Sequence, residues 1–217
     1  MLWRPWQEKI AVKKDAPLDL LNAQGKGETI YYTTKAVTPN VFSLCAMRDN
    51  SLVFIGFSQT EEGLSSVLLD AKNRMSWRKS LWTPLAGDLP QITTLELWGT
   101  LFQRAVWHEL LNIPEGKIVS YQSIAEKIGH PSASRAVGSA IGANPIAGLI
   151  PCHRVVNKQA DMGSYHWGWQ IKELFLRDEQ ESLSKRIGKL EAETLFRTAQ
   201  EKAIQDHLAQ SQPSLFL

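Results

Sequence analysis

The sequence predicts an α+β protein, a small antiparallel-sheet N-terminal domain followed by a mainly helical domain containing a helix-turn-helix. Three observations carry this reading. The runs TIYYTT, VFSLCAM and SLVFIGF are β-branched and aromatic, and the last two flank the tight turn Arg48-Asp49-Asn50-Ser51. A breaker-rich stretch with Pro84, Gly87, Asp88 and Pro90 then separates them from segments with helical apolar spacing. Within those, two short helical stretches flank Gly129-His130-Pro131, the layout of helix, short glycine-containing turn, helix.

Taken in order, residues 1 to 27 mix Pro5, Pro17, Gly25 and Gly27 with no sustained period and read as an extension. The strands begin at Thr29. In EEGLSSVLLDAKNRM, Leu64, Val67, Leu68 and Ala71 recur at helical intervals, which predicts a helix over one face of the sheet. Thr100 is the predicted N-cap of LFQRAVWHELLNI, with Leu101, Ala105, Val106, Glu109 and Leu110 marking its buried side and Pro114-Glu115-Gly116 closing it. The helical pair runs from Ser120 to Ile128 and from about Ser132 to Ile141. Its second helix is built of Ser, Ala, Gly and Val around one long polar side chain, Arg135. Such a helix cannot read many base edges, but its small residues permit close backbone approach to a groove, with one arginine reaching in. Tight helix packing would use the same small residues.

Composition bounds the class. Of 217 residues, 43% are apolar and 21% charged, with no stretch of about 18 apolar residues, so a globular protein without a membrane partner is expected. The N-terminal MLWRPWQEKIAVKKD has no apolar signal core, and the expected location is cytoplasmic. The net charge of +2 argues against a nonspecific nucleic-acid coat, yet it is an average. Residues 117 to 158 carry Lys117, Lys127, Arg135, Arg154 and Lys158 against Glu126 alone, a net +4. Two cysteines, Cys45 and Cys152, and five histidines fall at no metal-ligand spacing, so no zinc site is expected.

Cys45 reads as a small core residue. Cys152 lies in Ile150-Pro151-Cys152-His153-Arg154-Val155-Val156. Adjacent positive groups lower a thiol's pKa and raise the fraction of nucleophilic thiolate. From these residues alone two readings stand: a reactive cysteine, or a buried thiol with a backbone-satisfied histidine and a surface arginine.

Pro151-Cys152-His153-Arg154-Val155 resembles the active-site signature of the O6-alkylguanine-DNA alkyltransferases, also called methylated-DNA–protein-cysteine methyltransferases. Five further blocks match in order: Gly99-Thr100-x-Phe102-Gln103-x-x-Val106-Trp107, Ser120-Tyr121-Gln122, Ser134-Arg135-Ala136-Val137-Gly138, Asn144-Pro145 and Gly163-x-Tyr165-x-Trp167-Gly168. The resemblance covers about 80 of the 217 residues. It implies a ribonuclease H-like small sheet domain over 28–90 and the alkyltransferase domain over 91–180, and leaves outside it the extension over 1–27 and a helical C-terminal extension over 181–217.

It further implies direct repair of O6-alkylguanine in double-stranded DNA by a monomer, in a single turnover and without a cofactor. In that scheme the damaged nucleotide is turned out of the stack. Arg135 fills the vacated space, and Ser134, Ala136 and Gly138 line the DNA-facing helix. Tyr121 presses the flipped nucleotide's phosphate and donates a hydrogen bond to the base. Cys152 takes the alkyl group, His153 draws its proton through a bridging water, Glu179 orients His153, and Asn144 braces the turn. Tyr165 and Val155 line the substrate pocket, with the backbone carbonyls of Cys152 and Val155 accepting the guanine amino group. Pocket positions His166 and Trp167 depart from members that carry small residues there. A tryptophan there narrows the pocket and predicts poor reaction with bulky substrates such as benzylguanine. A cysteine-rich phosphotriester-sensing module is not expected.

Two other readings are weaker. A cysteine hydrolase or redox thiol protein leaves the Arg135 helix unexplained and lacks a second redox cysteine. Alkyltransferase-like damage binders lack the cysteine that stands here at 152. Residues 180 to 211 are charged and helix-compatible. The terminal Gln212-Pro213-Ser214-Leu215-Phe216-Leu217 resembles the short peptides by which bacterial repair proteins dock on the sliding clamp, with Gln212, Leu215 and Phe216 as anchors and Pro213 where leucine is commoner.

Overall fold

A computed structural model describes residues 29–74, 80–87, 92, 94–157 and 165–187. The chain divides into two compact units: Met1–Arg104 with Ala143–Leu149, and Ala105–Gly142 with Ile150–Leu217. It is a mixed α+β fold.

In the first unit, β1 (Thr29–Thr38), β2 (Val41–Arg48) and β3 (Ser51–Ser58) form an antiparallel meander. The β2–β3 connection is the two-residue loop Asp49-Asn50, with Asp49 at φ 51, a left-handed conformation that aspartate tolerates better than most residues. Helix α1 (Leu64–Arg74) packs on β2 and β3 and buries Leu64, Val67 and Ala71. Strands β2 and β3 are buried at nearly every position. Their near-continuous apolar sequences suit strands covered on both faces.

The sheet is not purely antiparallel, which corrects the expectation. Two short edge strands, β4 (Leu81–Pro84) and β5 (Thr94–Leu95), run parallel to β1 and β3, giving the order β4-β1-β2-β3-β5. Strand β4 uses residues assigned to the breaker-rich stretch, because Pro84 is tolerated at the end of an edge strand. Segment 143–149 also joins this unit. The Ile55 N–H donates to the Pro145 carbonyl at 2.8 Å and the Ala147 N–H to the Ile55 carbonyl at 3.1 Å.

Helix α2 (Leu101–Leu110) opens with a capping box in which Gln103 N–H donates to Thr100 Oγ1 and Thr100 N–H to Gln103 Oε1. Its buried face differs from the expected one. Leu101 is 73% exposed, whereas Val106, Trp107 and Leu110 are buried. Trp107 sets this rotation by donating its indole N–H to the Ala140 carbonyl at 2.7 Å.

The second unit continues with β6 (Val119–Ser120), α3 (Tyr121–Lys127) and α4 (Ser134–Gly142). Ser120 caps α3 by accepting the Ser123 N–H, and Gly129 turns the chain at φ 76. The Gln122 amide donates to Glu126 and to the Pro131 carbonyl, which fastens α3 to the loop leading into α4. Strand β7 (Val155–Val156) pairs parallel with β6. Helix α5 (Trp169–Ile187) is the last element among the described residues. It begins well before residue 180, where the sequence first reads as helix-compatible. Among the described residues no helix is long and apolar enough to cross a membrane.

Candidate active site

Pro151 adopts φ −80 and ψ 60, and the Cys152 N–H donates to the Ile150 carbonyl at 2.8 Å. This is an inverse γ-turn, which the fixed φ of proline favours. A single 3-10 turn, Cys152–Arg154, follows, and Val155 returns its N–H to the Cys152 carbonyl. Cys152 is 4% exposed, with Sγ 3.4 Å from the Tyr165 hydroxyl. Burial pushes the Tyr165 phenol well above its ordinary pKa, and the charge and hydrogen bond of Cys152 push the same way. The phenol therefore keeps its proton and donates to the sulfur whenever the sulfur is a thiolate. Tyr121, the first residue of α3, is raised for the same two leading reasons, burial and then the charge on Cys152.

Behind the sulfur lies a buried ionic cluster. His153 Nε2 is 2.6 Å from Glu179 Oε1, with the side chains 0% and 1% exposed. Burial drives the His153 pKa below 6.5, the charges of Arg154 and Lys172 push it the same way, and Glu179 opposes them. The ring is therefore neutral. Donating through Nε2 to the carboxylate makes Nδ1 its acceptor nitrogen. Burial alone would raise the Glu179 pKa, but the hydrogen bond from His153 and the charge and hydrogen bond of Arg154 bring it down to about 2. Arg154 Nε and Nη2 reach Glu179 Oε1 at 2.9 and 2.8 Å, and Nη1 donates to the Ile113 carbonyl at 2.5 Å.

This arrangement decides between the two readings of Arg154. It is buried, not a surface residue, and it neutralises a carboxylate that would otherwise be costly to bury. Lys172, which the sequence did not single out, is 2% exposed and donates Nζ to the Val155 carbonyl at 2.8 Å. Its only sequence signal is a lysine next to Ile171 on the buried face of a helix. Val155 is buried in β7, and the carbonyls of Cys152 and Val155 each already accept one hydrogen bond. A carbonyl oxygen carries two lone pairs.

Trp167 is 8% exposed and meets His166 edge-on at 4.4 Å, while His166 itself is exposed. On α4, Arg135 and Ala136 are exposed and Ser134 and Gly138 half-buried. A Cβ on Gly138 would lie 3.8 Å from the Tyr121 ring, in ordinary contact with its edge. Asn144 belongs to the sheet unit, where its Oδ1 accepts the Ile146 N–H at 3.0 Å. Cys45 is buried, with burial pushing its thiol up to about 12, as suits an inert core residue. Gly163, Lys158, residues 1–27, and Gln212, Leu215 and Phe216 of the terminal peptide lie outside the described residues.

The chain can now be set beside known proteins. A family model described as 6-O-methylguanine DNA methyltransferase, DNA binding domain, matches residues 101–181. The chain is 40% identical over 134 residues to the methylated-DNA–protein-cysteine methyltransferase of Salmonella typhimurium, covering 61% of this chain and 77% of that protein. It is 48% identical over 86 residues to the protein of that name from Saccharomyces cerevisiae, covering 40% of this chain and 46% of the yeast one, so the match spans less than half of the yeast protein. A solved structure of Mycobacterium tuberculosis OGT in complex with DNA superposes with a TM-score of 0.51 at 29% identity, over 70% of this chain and 93% of that one.

Proposed function

The chain belongs to the methylated-DNA–protein-cysteine methyltransferase family, and from that premise we propose that it repairs O6-alkylguanine in duplex DNA by irreversible transfer of the alkyl group to Cys152. One observation carries the reading: the Cys152 sulfur faces a phenol that stays protonated, and the next residue is a neutral imidazole anchored on a buried carboxylate.

The chemistry follows from these groups. The Cys152 proton passes to Nδ1 of His153 through a bridging water, and Glu179 stabilises the imidazolium that forms. The thiolate attacks the alkyl carbon in line. A sulfur–carbon bond forms, the carbon–O6 bond breaks, and its electron pair leaves with the guanine. That base departs as a poor leaving group until it is protonated, and the Tyr121 hydroxyl supplies the proton. Return of the His153 proton to Tyr121 balances the cycle, so the thiol's hydrogen ends on guanine and the alkyl group on sulfur. Tyr165 steadies the thiolate. The thioether has no leaving path, so each molecule acts once, and the step needs no cofactor.

On the DNA side, α3 and α4 act as a helix-turn-helix whose small, exposed face approaches the groove. Arg135 takes the place of the flipped nucleotide, with Ser134, Ala136 and Gly138 against the backbone. The relative from Mycobacterium tuberculosis has been solved in complex with DNA, which supports this partner. Val155, Tyr165, His166 and Trp167 shape the pocket, and Asn144 braces the turn ahead of the active-site run. The protein works as a monomer, and its need for a reduced thiol suits the cytoplasm. The terminal peptide docks on a sliding clamp through Gln212, Leu215 and Phe216; a truncation lacking residues 212–217 that binds the clamp unchanged contradicts that part.

Stoichiometry tests the central step. With alkylated duplex in excess, lesion loss should stop at one per protein molecule, whereas continued loss would show turnover and overturn the reading.

A further inference from the structure

Glu179 is held from a direction that the Cys152–Arg154 turn does not supply. His153 and Arg154 both bond to its Oε1, while its Oε2 accepts the backbone N–H of Gly116 at 3.1 Å. Gly116 ends the Pro114-Glu115-Gly116 turn after α2 and precedes β6, the strand that leads directly into Tyr121. It sits at φ 73, in the left-handed region that favours glycine. A Cβ at this position would lie 2.1 Å from Leu183 Cδ1, on the α5 turn beyond Glu179. The backbone thus runs against α5 closely enough to deliver its N–H, and a side chain there would have to displace the Leu183 methyl and hold a left-handed φ. The same turn is fastened a second time, by Arg154 Nη1 on the Ile113 carbonyl.

The terminal torsion of a glutamate is broad, so bonds to one oxygen alone leave the carboxylate plane loosely defined. A second donor on the other oxygen fixes it. We propose that Gly116 is a positioning residue for the Cys152 reaction: its N–H sets the orientation in which Glu179 meets His153, and ties that orientation to the strand that carries Tyr121. The inference rests on the Cys152 reading above. Gly116 touches neither substrate nor sulfur and acts only through Glu179.

The test separates this role from a merely conformational one. Gly116→Ala combined with Leu183→Ala relieves the side-chain contact and leaves the left-handed φ, which alanine does not hold, to turn the N–H off Glu179; Leu183→Ala alone is the reference. Two readouts apply: the pH profile of Cys152 alkylation by iodoacetamide without DNA, and the single-turnover methyl-transfer rate on a methylated duplex. Relative to the reference, the double variant should bind undamaged duplex with unchanged affinity. It should transfer methyl about tenfold more slowly, as expected for a weakened hydrogen bond to a charged group. Its thiolate limb should move to higher pH. A reference-like rate and profile would overturn the proposal.

Should the double variant not fold, an ester linkage in place of the Gly116 amide removes the donor without adding a side chain and carries the same expected outcomes. Wild-type protein run alongside distinguishes the two claims. No methyl uptake by the wild type sinks the Cys152 reading, whereas normal uptake by wild type and unslowed variant alike sinks only the role of Gly116.

Discussion

His153 Nε2 and Glu179 Oε1 stand 2.6 Å apart with both side chains withdrawn from solvent. Because Arg154 bonds to the same oxygen, removing the negative charge leaves a guanidinium without its counter-charge in the interior. Glu179→Gln should therefore lower unfolding stability by about 3 kcal/mol and slow alkyl transfer at the same time. Urea denaturation and single-turnover kinetics on the same preparation check this; a variant of wild-type stability contradicts it.

Acid should weaken the fold in two stages of the same sign. The His153 pKa is held below 6.5, so the unfolded chain takes up a proton first as pH falls through 6.5, and stability begins to drop. Glu179 is held at about 2 against an ordinary 4.5, so its contribution is complete above pH 4.5 and is lost as pH falls toward 2. That contribution is about 3 kcal/mol, at 1.36 kcal/mol per pKa unit. Urea midpoints measured across this range should fall on acidification, with the lower stage absent in Glu179→Gln.

Arg135 is exposed near the start of α4, clear of the buried cluster. If Arg135 fills the space of the flipped nucleotide as proposed, Arg135→Ala should slow repair of alkylated duplex by about tenfold or more. Iodoacetamide labelling of Cys152 should be unchanged. Equal slowing of both reactions would place Arg135 in the fold instead of at the DNA surface.

Trp167 is buried beside His166, and the proposed function places both at the substrate pocket. Trp167→Gly should increase labelling by benzylguanine while costing roughly 3–5 kcal/mol of stability for the lost indole. Labelling no faster than wild type would remove Trp167 from the pocket wall.

The sequence disclosed some parts of this architecture and hid others for physical reasons. Strands β1 to β3 were legible because long β-branched runs flank a two-residue turn. Strands β4 and β5 were not, since two to four residues carry no pattern and Pro84 reads as a breaker. Helix α2 was legible but rotated, because it buries the larger Trp107 indole, with its hydrogen bond to the Ala140 carbonyl, in preference to Leu101. The start of α5 was hidden by Lys172, a charged residue on the buried face of its first turn. Within the site, Cys152, His153 and Tyr121 lie in contiguous motifs. The bond from Gly116 to Glu179 joins residues 63 apart through a backbone atom, which no side-chain pattern encodes.

The central claim is that Cys152 itself receives the alkyl group. Incubation with a duplex containing O6-methylguanine, followed by proteolysis and mass measurement, tests it most directly. One added methyl on the Cys152 peptide, absent in Cys152→Ala, is the predicted result. No mass change, or methyl found on another residue, would contradict it.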